Sequence, residues 1–158
     1  MRRKDREMTS REELLAIFSR CEVIRIAWND ENGPYIVPMN FGIHAQGDSI
    51  QLYMHGAMQG RKMDLIQQND RVGFEVDRHI RTITGEKACQ WSAAYESIIG
   101  SGRIQWVFDD EEREQGMNSI MAHYGFQGKR EYNPDILKQT AILRLDVETL
   151  SGKANQAK

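Results

Sequence analysis

Three β-forming runs follow one another between Val23 and Met54 with only turn signals between them, and this most constrains what the chain can fold into. Val23, Ile24, Ile26 and Trp28 make a β-branched and aromatic run, which Asn29-Asp30-Glu31-Asn32-Gly33-Pro34 ends as a strong turn. Tyr35 to His44 reads as the next strand, Gln46-Gly47-Asp48 as a turn, and Ser49 to Met54 as the return. Strands joined this closely pair antiparallel, because a parallel pair needs a long crossover.

The rest of the chain continues the pattern. Val72 to Val76 reads as a strand, and Ile80 to Lys87 as an exposed loop or ragged hairpin. Trp91 to Ile99 and Arg103 to Phe108 read as two strands, or as one bent at Gly100-Ser101-Gly102; Ala141 to Val147 closes the set. Helices are few. Thr9-Ser10-Arg11-Glu12 has the form of a capping box ahead of Leu14, Leu15 and Phe18, so a helix should open there and stop near Cys21. Arg61 to Asn69 reads as a short helix with Met63, Ile66 and Leu65 inward, and the acids from Asp109 to Glu112 open another that runs to about Tyr124. About six strands without alternating helices favour a barrel or α+β arrangement over a doubly wound parallel sheet.

At 158 residues one domain is expected, with residues 1–8 a solvated basic leader and 153–158 a flexible tail. A net charge of −2 argues against nucleic acid as the main partner. No apolar run approaches the roughly 18 residues of a membrane helix, and two cysteines without Cys-x-x-Cys spacing suit a reduced, cytoplasmic protein. Cys89 is expected as a buried structural thiol, and the four histidines form no zinc-site spacing, so no metal is expected. Gly100-Ser101-Gly102 lacks the third glycine of a dinucleotide fingerprint, where Gln105 stands. His55-Gly56-Ala57-Met58-Gln59-Gly60-Arg61-Lys62 is more informative: a strand enters a glycine-containing loop, then two cations open a helix. That combination suits a phosphate, while the plainer reading is a solvated helix start.

Pro34-Tyr35-Ile36-Val37-Pro38-Met39-Asn40-Phe41-Gly42, Leu52 to Ala57, Gly60 to Leu65, Phe74-Glu75-Val76 and Tyr95 to Gly102 resemble the pyridoxamine 5′-phosphate oxidase-like flavin-binding split barrels. Met1 to Glu7, Cys89 before Trp91, and Met121-Ala122-His123-Tyr124 resemble the nitroimidazole-resistance group among them. The resemblance implies a six-stranded antiparallel split β-barrel with two or three flanking helices, paired as a homodimer with FMN between the copies. It implies that Pro38, Met39 and Asn40 lie along the flavin edge and that His55, Gly56 and Ala57 border the ribityl chain and phosphate. Arg61 and Lys62 would pair with the phosphate, and Trp91, Tyr95 and Ser97 would line the cleft. For each of these the plainer reading stays open: Asn40 as a turn cap, Trp91 and Tyr95 as core. Met39-Asn40 stands where the oxidase itself would carry a more basic pattern, which turns the expectation from pyridoxamine phosphate toward another acceptor. The implied activity is an FMN-dependent reductase acting on a small electron-poor acceptor such as a nitroaromatic, with His55 as proton donor. The alternatives are a flavin- or haem-binding sensor or carrier, with His55 or His123 as axial ligand, and deazaflavin F420 in place of FMN.

Overall fold

In a computed structural model, residues 4–155 are described. The described residues are mainly β, with eight strands in one antiparallel sheet and four α-helices around it. The strands are β1 (Glu7–Met8), β2 (Ile24–Asp30), β3 (Gly33–Met39), β4 (Phe41–Gln46), β5 (Ser49–Ala57), β6 (Arg71–Ile83), β7 (Ser92–Trp106) and β8 (Thr140–Asn155). The helices are α1 (Arg11–Arg20), α2 (Arg61–Gln68), α3 (Asp110–His123) and α4 (Pro134–Lys138). Along the sheet the order is β3-β2-β6-β7-β8-β5-β4, with β1 added to β8.

The expected strand Tyr35 to His44 is two strands, and Asn40 alone separates them. β3 pairs with β2 and β4 with β5, so these two strands are opposite ends of the sheet. Consecutive Cα atoms lie 3.8 Å apart. The sheet must therefore curl until its ends come together at Asn40. Its inner face holds the core, including Ile24, Ile26, Trp28, Phe41, Leu52, Met54, Phe74, Ile98, Leu143 and Leu145, with Ile17 and Phe18 of α1 packed into it. A smaller outer cluster of Tyr53, Val107, Ile120 and Ile142 lies under α3.

Local chemistry sets the helix starts. Ser10 caps α1 by accepting from the Glu13 N–H at 3.1 Å, so the cap falls one residue later than expected. Asp109 caps α3 in the same way, through the Glu112 N–H at 2.9 Å. α4 was not expected, although Asn133 caps it and Pro134 occupies its first turn. On α2, Met63 and Leu65 are buried and Ile66 is half-buried.

Other departures from the sequence reading lie where strands run past their apolar stretches. β6 continues through Asp77 to Ile83 and β8 through Glu148 to Asn155, each held by backbone pairing to β7. β7 is one strand, with a register shift between Ser101 and Gly102. Of the expected leader, Lys4–Arg6 form a 3-10 turn and β1 pairs Glu7 with Lys153; of the expected tail, Lys153 to Asn155 belong to β8. Residues 1–3 and 156–158 lie outside the described residues. Cys89 is exposed rather than buried, because its short 3-10 turn (Ala88–Gln90) sits at the tip of the β6–β7 connection with no element over it. Cys21 is the buried thiol, pushed up to about 11 by burial and then by nearby carboxylates. No helix among the described residues is long and apolar enough to cross a membrane.

Candidate functional site

β5 outruns β4: Met54 faces Phe41, whereas His55, Gly56 and Ala57 keep only their β8 partners Ile142, Ala141 and Thr140. Beyond Met54 the chain passes through residues 58–60 into α2. Gly60 is the N-cap of α2 at φ +118°, a conformation that suits glycine, and it provides no side-chain cap. The first amides of α2 therefore open toward the loop, as they do where a helix start receives an anion.

Two cations stand at that start in different company. The Arg61 guanidinium grips Asp30 at the end of β2, with Nε donating to Oδ2 at 3.1 Å and Nη2 to Oδ1. This pairing holds Asp30 below the usual carboxylate range. Lys62 folds the other way, its ammonium lying over Gly56 in the space a Cβ would fill, with the Met39 Cε methyl also nearby. Burial pushes the Lys62 ammonium below its ordinary value, and among the described residues no carboxylate comes within ion-pair reach of it. A charge removed from water without a counter-ion is costly. An anion at this helix start would supply the missing counter-charge.

Strand alternation separates His55 from that ammonium. Leu52 and Met54 face the core and Gly56 continues their face, whereas His55 shares the outer face with Tyr53. His55 is solvent-accessible, yet desolvation by its surroundings, and then the charge of Lys62, keep the imidazole below its usual value. Asn40, at the corner where the sheet ends meet, donates from Nδ2 to the Tyr124 hydroxyl at 2.9 Å. That hydroxyl donates in turn to the Glu22 carbonyl. Pro38 sits on edge strand β3 opposite Arg25.

Trp91, Tyr95 and Ser97 lie elsewhere. Tyr95 pairs with Asn155 on β8, while His55 pairs with Ile142 on the same strand. Thirteen residues separate those two partners, a path of about 43 Å along the strand. Trp91 is 57 % exposed, and its Nε1–H donates to the Gly85 carbonyl at 3.0 Å. One copy of the chain thus gathers Met39, His55, Gly56, Ala57, Arg61 and Lys62 at one place and Tyr95 with Ser97 at another. Sequence reasoning missed Asp30 as the partner of Arg61, since nothing local links residues 31 positions apart. It also missed Lys153, whose Nζ lies 5.5 Å from the Tyr95 ring centroid; reading β8 beyond Val147 would have found it. Among the described residues no group of three or more His, Cys, Asp or Glu could hold a metal ion.

A family model described as pyridoxamine 5′-phosphate oxidase matches residues 10–154. The chain belongs to that family. Among solved structures, a candidate 5-nitroimidazole antibiotic resistance protein from Bacteroides thetaiotaomicron is 24 % identical, with 93 % of this chain and 85 % of that one covered and a TM-score of 0.78. The FAD and heme binding protein of Mycobacterium smegmatis is 17 % identical over 96 % of this chain and 74 % of its own, with a TM-score of 0.81. The flavocytochrome Anf3 of Azotobacter vinelandii is 16 % identical over 99 % and 72 %, with a TM-score of 0.82. At these identities the likeness is one of fold. A comparison with curated proteins gives no match.

Proposed function

We propose that the chain is a homodimeric, FMN-dependent oxidoreductase that reduces a small electron-poor acceptor such as a nitroaromatic, its curled sheet being the split barrel of its family. The observation that carries this reading is Lys62: a desolvated ammonium against Gly56, without a carboxylate partner among the described residues, beside an uncapped helix start. Residues that fit a phosphate are therefore present, and Arg61 can add a charge-assisted bond by sharing its guanidinium with Asp30.

When bound, the flavin supplies the redox chemistry. The chain's residues bind, orient and shield. Lys62 and the α2 amides would hold the phosphate, and Gly56, having no Cβ, gives the Lys62 ammonium its place there. The open edge of β5 from His55 to Ala57 offers backbone groups to the rest of the cofactor. Desolvation first and the Lys62 charge second hold the His55 imidazole below its ordinary value, and an anion beside Lys62 would offset the second of these.

A second copy completes the cleft in this reading, because Tyr95 and Ser97 lie too far along β8 to serve the same flavin from one chain. The outer face of β3, β2, β6 and β7 suits that partner. It exposes Ile36 (57 %) and Ile99 (62 %) around the small residues Ala27 and Gly73. Haem is disfavoured at His123, whose Nε2 lies 2.8 Å from the Cys21 carbonyl and whose ring packs 4.4 Å from that of Phe41.

The absorption spectrum of the purified protein, reconstituted with FMN and then with haem, tests this function. Flavin bands that bleach under anaerobic NADH or NADPH and recover with a nitroaromatic are expected. Reconstitution by haem alone would overturn the reading.

A further inference from the structure

Arg113 of α3 is the one buried cation among the described residues, 6 % exposed, and the flavin reading makes no use of it. Among those residues the one carboxylate within ion-pair reach of it, Asp110, lies in water and comes no closer than 3.9 Å. The guanidinium turns instead to the main chain. Nη1 donates to the Val107 carbonyl at 3.3 Å, and Nη2 donates to the carbonyls of Thr140, at 3.1 Å, and Leu137. Those three oxygens belong to the chain leaving β7, the first residue of β8 and the last turn of α4. A planar fork with five N–H donors suits this task, and a compact ammonium does not.

The place of this clamp ties it to the candidate phosphate site. β7 and β8 pair as far as Trp106 with Leu143, and one more bond runs from the Val107 N–H to the Ile142 carbonyl at 2.9 Å. There the two strands part, since β7 leads out toward α3 and α4 leads into β8. The guanidinium spans the gap from Val107 to Thr140, in place of the next rungs of the ladder. On its other edge the same stretch of β8 carries the site. Thr140, Ala141 and Ile142 are the ladder partners of Ala57, Gly56 and His55, which have no partner on β4. α4 adds little hold of its own, because it buries no residue; Thr140 bonds back to it, Oγ1 donating to the Ile136 carbonyl at 2.8 Å.

We propose that Arg113 is a positioning residue for the flavin phosphate. It touches no ligand; by fixing Thr140 and Ala141 it sets where Gly56 and Ala57 stand, and with them the Lys62 ammonium that lies over Gly56. The inference rests on the phosphate reading of that site. Removing the guanidinium takes a donor from three main-chain carbonyls at once, so the start of β8 relaxes and the phosphate contacts lose their geometry.

Arg113→Ala and Arg113→Lys test it, with Ile17→Ala as a control that weakens the core from α1. In fluorescence titrations FMN should bind Arg113→Ala about tenfold more weakly than the parent, and riboflavin should stay within about threefold. Ethylguanidinium, added far below denaturing concentrations, should restore FMN binding to Arg113→Ala and leave the parent unchanged. Arg113→Lys cannot reach across three carbonyls and should lose FMN affinity by about threefold to tenfold; it decides the matter should the alanine variant fail to fold. Ile17→Ala should bind FMN as the parent does. Parental FMN affinity in Arg113→Lys overturns the proposal. So does a loss in Ile17→Ala as large as in the arginine variants, which would make stability the cause. Amide exchange of the flavin-free protein gives a second readout: residues 55–57 and 140–142 should exchange faster in Arg113→Lys while β2 keeps its parental rates. Unchanged exchange at those residues also overturns the proposal. Should the parent bind no FMN, the flavin reading fails by itself, and the exchange still decides whether Arg113 sets this edge.

Discussion

Lys62 and Arg61 are neighbours in sequence, but among the described residues only Lys62 lacks a counter-ion, and their substitutions should differ accordingly. Lys62→Ala should weaken FMN binding by roughly 10- to 100-fold, the range for losing a bond between charged groups. Arg61→Ala should cost less than about tenfold, because Asp30 already competes for that guanidinium. Riboflavin, which lacks the phosphate, should bind parent and variants alike; fluorescence titration of both flavins checks this, and parallel losses for riboflavin would count against a phosphate role. His55 makes a second prediction. Its folded value lies below the usual one of about 6.5, so at pH values between the two the unfolded chain binds more protons. Stability should therefore fall as the pH drops from about 7.5 to 5.5, and His55→Gln should lose part of that slope. Urea midpoints at the two pH values measure it, and identical slopes would exclude His55 as a contributor. At this scale the sequence already exposed the Gly56-to-Lys62 pattern. Asp30 was hidden, because its role depends on a contact that the fold creates.

Among the elements, α1 and α3 were legible because their caps are local: Ser10 and Asp109 reach amides three residues ahead. The break at Asn40 was not, since residues 35–44 keep their β-forming character and the corner arises from the sheet closing on itself. The polar extensions of β6 and β8 were equally obscure. Backbone hydrogen bonds to β7 hold them whatever their side chains are, so periodicity carries no signal there. Packing between elements sets its own test at Gly42 of β4. A Cβ there would collide with the α3 backbone at Ser119 and Ile120, and backbone cannot move aside as a side-chain tip can. Gly42→Ala should destabilise the fold by about 2 kcal/mol through overpacking. Thermal and urea unfolding measure this, and an unchanged midpoint would mean that α3 does not pack as described.

For the whole molecule, the order of strands and the separation of the two half-sites argue together. Six β-rich runs foretold a mainly β, antiparallel architecture, but not the eight strands of the described residues or an order in which β3 and β4 are opposite ends. Sequence motifs grouped Lys62 with Tyr95 as one site, whereas one chain holds them far apart. On the proposed account a second copy reunites them, through an interface expected to bury more than about 2,000 Å². Subunit complementation tests this most directly. Protein carrying Arg61→Ala with Lys62→Ala, and protein carrying Tyr95→Ala with Ser97→Ala, should each bind FMN poorly. Unfolded together in equal amounts and refolded, they should regain about one tight site in four, since half the dimers are mixed and each mixed dimer contains one intact cleft. No recovery of tight FMN sites, in a mixture shown to contain mixed dimers, would contradict a flavin shared between two copies.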